Sequence, residues 1–255
     1  MISTEIIQLN ANSELIVVHL ENFDQSFVNQ LDEIIVRICE GESDTPCELV
    51  KQRMVKFLKT KSDVTRIGAV SEFFIHYYLN KIEFKQDFRF FNLEEGSIKK
   101  GFDGVYSYDE EIYVVESKSG YFDTKNISHL TKIKLAYKEL KEYLEGKSGK
   151  SENNPWMNAY NHASHIDVQT KKTIRNKIKE LCDLYDNNKF SLVENFNVIP
   201  SSTIYLNNTW DDKWSEGIKS RLEEIESLKA KKIKILAFTN LSINIFYKYI
   251  GYFDE

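Results

Sequence analysis

Hydrophobic positions along the chain alternate between strand-like and helix-like spacing and predict an α/β succession. Leu15 to Leu20 is an apolar run of strand length, and Phe27 to Cys39 has helical spacing ahead of a polar loop at Gly41 to Pro46. Arg66 to Lys81 (RIGAVSEFFIHYYLNK) sets Ile67, Val70, Phe74 and Tyr77 on one buried face of a helix. The next segment, GFDGVYSYDEEIYVVESKSG, holds two strand-like runs, the second built on Ile112 to Val115. Between them Asp109 and Glu110 form a polar turn that folds the runs into a hairpin. A lysine-rich helix follows, with Ile133, Tyr137 and Leu140 at helical spacing, and a Ser, Gly and Asn-rich break from Gly146 to Asn154 sets off the C-terminal third. There the pattern predicts a helix over Thr170 to Tyr185, extended segments around Phe196 to Leu206, a helix over Asp211 to Leu228 and a strand over Ile233 to Phe238. The late strands are expected to extend the hairpin's sheet. The result is an α/β domain over 61–255, its core at Thr65 to Leu144, with residues 1–60 as an N-terminal appendage packed on it, or else a single domain over the whole chain.

Glu116, Ser117 and Lys118 close the second run of the hairpin and Asp103 opens the first. Side chains two apart on a strand share a face, so Glu116 and Lys118 present a carboxylate and an ammonium side by side. With a loop of two or four residues Ser107 faces Ile112, and counting back sets Asp103 opposite Glu116, their Cβ atoms about 4.5 to 5.5 Å apart. An odd-length loop or a bulge shifts this pairing and turns one carboxylate away. The pattern Glu-x-Lys recurs at Glu83 to Lys85, Glu139 to Lys141 and Glu145 to Lys147. Only Glu116 ends an alternating β-branched stretch, follows Gly-Phe-Asp-Gly and precedes Ser119-Gly120, a turn signal that opens room for a ligand. The plain alternative is an exposed, salt-bridged strand end worth at most about 1 kcal/mol. Glu72 lies off the buried face of its helix, uncovered by Gly68 and Ala69 one turn earlier, with His76 at i+4. It is a candidate third acid, against the ordinary alternative of a solvated helical glutamate.

In order, a helix with an inward Glu, a strand with Asp, a hairpin partner ending in Glu-x-Lys and a lysine-rich helix resemble the PD-(D/E)xK nuclease superfamily. Within it the GFDG and ESKSG segments and the RIGAVSE helix start are most similar to the small nuclease subunits of Hachiman anti-phage systems, over about residues 50–250. The resemblance implies a restriction-endonuclease-like mixed β-sheet flanked by helices. It also implies one or two Mg²⁺ ions on Asp103 and Glu116, a water-positioning Lys118, and Glu72 completing the acidic cluster. A helicase partner would restrain the nuclease and deliver it to DNA. Phe102 stands where the superfamily usually has Pro, which leaves the ligand set intact.

The chemistry supports the same assignment without the resemblance. Phosphodiester hydrolysis needs charge on the non-bridging oxygens, a nucleophile at neutral pH and help for the leaving oxygen, and a divalent ion serves all three. Mg²⁺, with Mn²⁺ as a substitute, prefers oxygen donors and keeps several waters, so Asp103, Glu116 and the Ser117 carbonyl form an adequate cradle. Lys118 stays protonated beside the carboxylates and is expected to orient water and stabilise the transition state, not to act as a free-amine base. Lys125, Lys132, Lys134, Lys138, Lys141, Lys147 and Lys150 crowd the segment after the motif, and the first four are the candidates for a DNA groove. Lys171, Lys172, Arg175, Lys177 and Lys179 read more simply as a solvated helical face above Ile174, Ile178 and Leu181.

Composition narrows the partners. A chain of 255 residues that is 42% hydrophobic can bury one good core. A net charge of -5 argues against a protein that grips nucleic acid over its whole surface, leaving local patches or a partner's cations. The longest apolar runs fall far short of the ~18 residues that cross a bilayer, and MISTEIIQLNANSE lacks the basic and apolar regions of a signal peptide. A cytoplasmic protein without a membrane partner is expected, and a homo-oligomer is left open. Cys39, Cys47 and Cys182 lack metal-ligand spacing and fit reduced thiols. His162 and His165 in NHASH have no companion ligands and read as loop or partner contacts before a zinc site. Tyr137 reads as core, and the aromatic tail Ile243 to Phe253 as a packing or docking segment before a base-stacking surface. Two classes of function follow. One is a metal-dependent DNA nuclease, with an RNase as its near variant. The other is a non-catalytic subunit that uses a nuclease-like fold for assembly or nucleic-acid binding. The acidic pair with its lysine favours the first, because a structural strand end has no need of mutually repelling carboxylates.

Overall fold

The computed structural model describes residues 2–91, 101–149 and 154–253. Strands β1 (Ile2–Asn10) and β2 (Ser13–Leu20) form a first hairpin, followed by helices α1 (Gln25–Glu40), α2 (Cys47–Lys59) and α3 (Asp63–Lys81) and the short strand β3 (Lys85–Gln86). A second hairpin, β4 (Gly104–Tyr108) and β5 (Glu111–Tyr121), leads to α4 (His129–Leu144), α5 (Pro155–Ala163) and α6 (Lys172–Asp186). The chain ends with β6 (Asn197–Tyr205), α7 (Lys213–Lys219), α8 (Leu222–Glu226), β7 (Lys232–Asn240) and α9 (Ile243–Ile250). All seven strands join one mixed sheet in the order β1-β2-β7-β6-β5-β4-β3. Its four central strands are parallel and its two margins antiparallel.

Because side chains alternate across a strand, the sheet separates two cores. Ile16, Val115, Ile199 and Leu236 face α1, α2, α3 and α9. Val17, Val114, Val198 and Ile235 face the layer that runs from α4 to α8. Burial on both faces explains why β6 (NVIPSSTIY) is buried along its whole length and shows no simple alternation. Residues 2–60 supply two strands to the common sheet and two helices to the core shared with α3 and α9, so no boundary of sheet or core falls at residue 60.

Several elements depart from the sequence pattern. Strand β1 escaped it because an edge strand need not alternate cleanly, and its Ile6 is 60% exposed. Helices α2 and α5 were also unread. The single helix expected over Asp211 to Leu228 is divided at Ser220 and Arg221, and Ile218 and Ile225 each reach the core from their own short helix. Ser119 and Gly120 are not a turn. They lie inside β5, paired with Thr203 and Ile204 of β6, a parallel neighbour that local turn chemistry does not reveal. The break at Gly146 to Asn154 falls partly outside the described residues, as does Lys150. The aromatic tail packs as α9, with Phe246 centred 5.0 Å from Phe73 and 5.3 Å from Phe74.

Candidate active site

The site is assembled at the end of the second hairpin. Asp109 and Glu110 take positive φ (49° and 60°), as a two-residue hairpin turn requires, and pairing runs from Tyr108–Glu111 through Ser107–Ile112 to Gly104–Val115. Beyond that rung the regular ladder stops. The Asp103 N–H donates to Val115 O (3.0 Å), and the Asp103 Oδ2 accepts from the Ser117 N–H (2.7 Å). The direct rung expected between Asp103 and Glu116 is replaced by this side-chain bridge. Just upstream, Gly101 takes a positive φ (127°) and the buried Phe102 ring packs on Trp156 (4.9 Å between centroids). Gly104 permits the close approach of α3, since a Cβ there would lie 3.2 Å from both His76 Cε1 and Tyr106 Cε2. The N–H and C=O of a strand residue leave by the same edge, so the Ser117 carbonyl faces the same margin as the Asp103 carboxylate.

Glu116 and Lys118 point to the α4 face. Glu116 is 3% exposed, and its Oε1 meets Lys118 Nζ at 2.5 Å. Lys118 Nζ also meets Glu139 Oε2 on α4 at 3.0 Å. The other oxygen of Glu116, Oε2, is buried without a hydrogen-bond partner. Burial, and then the charge of Asp103, push the Glu116 carboxyl well above the usual range, and Lys118 relieves only part of this. Burial opposes the Lys118 charge, but Glu116 and Asp103 outweigh it and hold the ammonium protonated. Tyr143, one turn beyond Glu139, is pushed up to about 12 by burial and then by Glu116 and Glu139. Sequence reasoning missed Glu139, which it counted among the background Glu-x-Lys strings. The available signal was a carboxylate set into the buried stripe Ile133, Ala136, Leu140 and Tyr143 of α4.

Glu72 approaches from the opposite face. Helix α3 runs beside β4 in the same direction: Asn80 bonds Gln86, which pairs with Tyr106, whereas His76, a turn earlier, has its Cε1 3.2 Å from where a Cβ on Gly104 would stand. Glu72, four residues and about 6 Å before His76 on the helix, therefore lies toward the Asp103 end of the sheet. It is half-buried, and its charge reaches the Tyr106 hydroxyl. A Cβ added at Gly68 would meet nothing within 4 Å, so that side of α3 is open.

The lysines divide. Lys132 is half-buried beside the site, its Nζ 3.5 Å from where a Cβ on Gly120 would stand, and burial followed by the Lys118 charge pull its pKa down. Lys125 is exposed on the connection between β5 and α4. Lys134 pairs with Glu224 (2.5 Å) and Lys138 with Glu142 (3.6 Å), on faces of α4 turned away from β5. Lys171 and Lys177 hold the hairpin turn through the Glu110 carboxylate and carbonyl.

His162 stacks on Phe88 (3.8 Å between centroids) and its Nδ1 accepts from the Arg89 N–H, whereas His165 caps a short turn by accepting from the Asp167 N–H. Tyr137 Oη donates to Lys229 O (2.7 Å) at the edge of the α4 core. The three cysteines are free.

An oxygen-only set of Asp103, Glu116 and the Ser117 carbonyl fits a hard divalent cation. The buried, unpartnered Glu116 Oε2 is the kind of atom such an ion would satisfy, since an ionised carboxylate is costly to bury without partners. Among the described residues, Asp103, Glu116 and Glu72 do not bring three carboxylate oxygens within 4.8 Å of one another, whereas Cys182, Asp183 and Asp186 of α6 bring three ligand atoms that close. There both carboxylates are exposed and already used, Asp183 by Lys179 and Asp186 by Asn154. Among the described residues no helix is long and apolar enough to cross a membrane. No protein-family model matches the chain, and no curated protein matches it in sequence.

Proposed function

We propose that the chain is a divalent-metal-dependent nuclease that hydrolyses DNA phosphodiester bonds. The observation that carries this reading is Glu116, a buried carboxylate with one oxygen held by Lys118 and the other unpartnered, beside a second carboxylate at Asp103. A strand that only needed to be stable gains nothing from such a group, because burying charge beside like charge costs free energy.

Asp103, Glu116 and the Ser117 carbonyl would hold Mg²⁺ or Mn²⁺, which when bound supplies charge for the phosphate oxygens, a more acidic water and support for the leaving oxygen. Lys118 remains protonated and donates hydrogen bonds to the attacking water and to a phosphate oxygen as negative charge develops. Glu139 accepts a second bond from Lys118 and so keeps the ammonium aimed when Glu116 is engaged elsewhere. Glu72, on α3, is the third acid of the proposal.

The order α3, β4, β5, α4 around the mixed sheet supports a restriction-endonuclease-like fold and the PD-(D/E)xK relationship. In this reading the protein is the effector subunit of a Hachiman-like anti-phage complex in the cytoplasm, restrained and loaded by a helicase. The net charge of -5 supports a partner that brings the cations the chain lacks. The test compares plasmid, linear duplex, single-stranded DNA and RNA in Mg²⁺, Mn²⁺ and EDTA, with Glu116→Ala as control. Cleavage confined to RNA would sink the DNA assignment.

A further inference from the structure

Tyr143, Glu139, Ala136 and Lys132 recede along α4 in steps of three or four residues and form one stripe of the helix. That stripe lies along β5 in the opposite sense. The Glu116 charge reaches Tyr143, Glu139 Oε2 meets Lys118 Nζ at 3.0 Å, and Lys132 reaches Gly120, its Cε and Nζ 3.4 and 3.5 Å from where a Cβ would stand. Gly120 shares the face of Lys118 and lies about 6.6 Å beyond it on the strand. Lys132 therefore continues the candidate active site by one step, on the side away from Glu116. The two lysines differ in their company. Lys118 is held by Glu116 and Glu139, whereas half-buried Lys132 has no acidic partner among the described residues. Burial, and then the Lys118 ammonium, disfavour its charge. A half-buried cation kept beside another cation costs free energy until an anion arrives. Lys134 and Lys138 already pair with Glu224 and Glu142.

We infer that Lys132 holds the substrate phosphate next to the one at Asp103 and Glu116, so that a linkage is cut fast only with a charged phosphate on one particular side of it. The inference rests on the nuclease reading of that cluster and names what the site requires of its substrate. It calls for a polynucleotide strand, in place of a lone phosphodiester or a terminal linkage without that neighbour. The contact is selective for charge alone. An ammonium offers three donors and a full charge to phosphate oxygens, and a phosphate contact positions the strand without reading its bases. A phosphate placed between the two lysines also offsets their mutual repulsion.

The test walks a single uncharged methylphosphonate linkage along a short labelled DNA strand, alone and annealed to its complement, and maps cleavage by the full chain in Mg²⁺. Wild type should leave a gap of two linkages, the uncharged one and its neighbour on a fixed side, with that neighbour cut about ten- to a hundred-fold more slowly than the rest. Lys132→Gln should narrow the gap to the uncharged linkage alone while slowing cleavage elsewhere by a similar factor, and Lys132→Arg should restore the second position. A binding arm needs no cleavage. In EDTA, read by fluorescence anisotropy on the unmodified DNA, Lys132→Gln should lower the slope of log affinity against log salt by about 0.7 for the single strand or 0.9 for the duplex. A Lys132→Gln variant that keeps the two-linkage gap or the salt slope of wild type would overturn the phosphate contact. The two readings fail separately. A one-linkage gap in wild type leaves the nuclease standing without this contact, whereas a lowered salt slope with no cleavage in any metal leaves the contact without the nuclease.

Discussion

Replacing Glu116 by Gln keeps the shape of the side chain and its bond to Lys118, and removes the charge that a metal would recognise. In the wild type, burial and Asp103 raise the Glu116 carboxyl, so the folded chain binds this proton more tightly than the unfolded chain does. Stability therefore falls as pH rises from the ordinary value near 4.5 through the raised folded value, by about 1.4 kcal/mol for each unit of the shift. Glu116→Gln lacks this penalty. In EDTA its melting temperature should exceed that of wild type at pH 8, with the gap closing toward pH 4.5. On the proposed reading a divalent ion should reverse the order. Occupancy at a hundred times the dissociation constant stabilises the wild type by about 2.7 kcal/mol, which raises the melting temperature by roughly 5 to 11 °C for a domain of this size. Thermal melts at pH 6, 7 and 8, with and without Mg²⁺, measure both effects. A Glu116→Gln variant that keeps the full Mg²⁺-dependent rise would refute the placement of the metal on this carboxylate.

Other perturbations follow from the same geometry. Lys118→Ala should abolish cleavage and lower the melting temperature more at pH 8 than at pH 5, because Glu116 loses its cation and its raised carboxyl is relieved by protonation as pH falls; equal losses at both pH values would contradict the ion triad. Gly104→Ala should cost about 1 to 3 kcal/mol through overpacking on His76 and Tyr106, seen as a melting temperature lower by roughly 2 to 12 °C. His129, buried with its nitrogens against Ser202 Oγ (2.6 Å) and Thr239 Oγ1 (3.0 Å), is depressed from 6.5 to about 3 by burial and then by His19. Its contribution is present above pH 6.5 and lost as pH falls toward 3, so acid titration of wild type against His129→Gln should differ across that window and not above it.

The chemical core was legible where local rules act alone. The hairpin turn at Asp109-Glu110, the shared face of Glu116 and Lys118, and the buried stripe of α3 follow from periodicity and turn chemistry within a few residues. What was not legible depends on distant partners. Ser119-Gly120 read as a turn because nothing nearby announces that β6, some 80 residues later, extends the strand through it. The register counted from Ser107–Ile112 holds as far as Gly104–Val115, but the bond from the Ser117 N–H to the Asp103 carboxylate is a side-chain contact that strand counting does not give. Glu139 looked like one more charge in a chain with many, and only the packing of α4 on β5 makes it a partner of Lys118. The groove lysines separated for the same reason, since Lys134 meets Glu224 from a helix far along the chain.

Cleavage of supercoiled plasmid by the chain, alone and with the proposed helicase partner, in Mg²⁺ and in EDTA, with Glu116→Ala alongside, tests the central claim most directly. The account predicts nicking or linearisation in Mg²⁺ that EDTA and Glu116→Ala both abolish. Cleavage that persists in Glu116→Ala, or its absence from the wild type under every metal and partner condition, would contradict it.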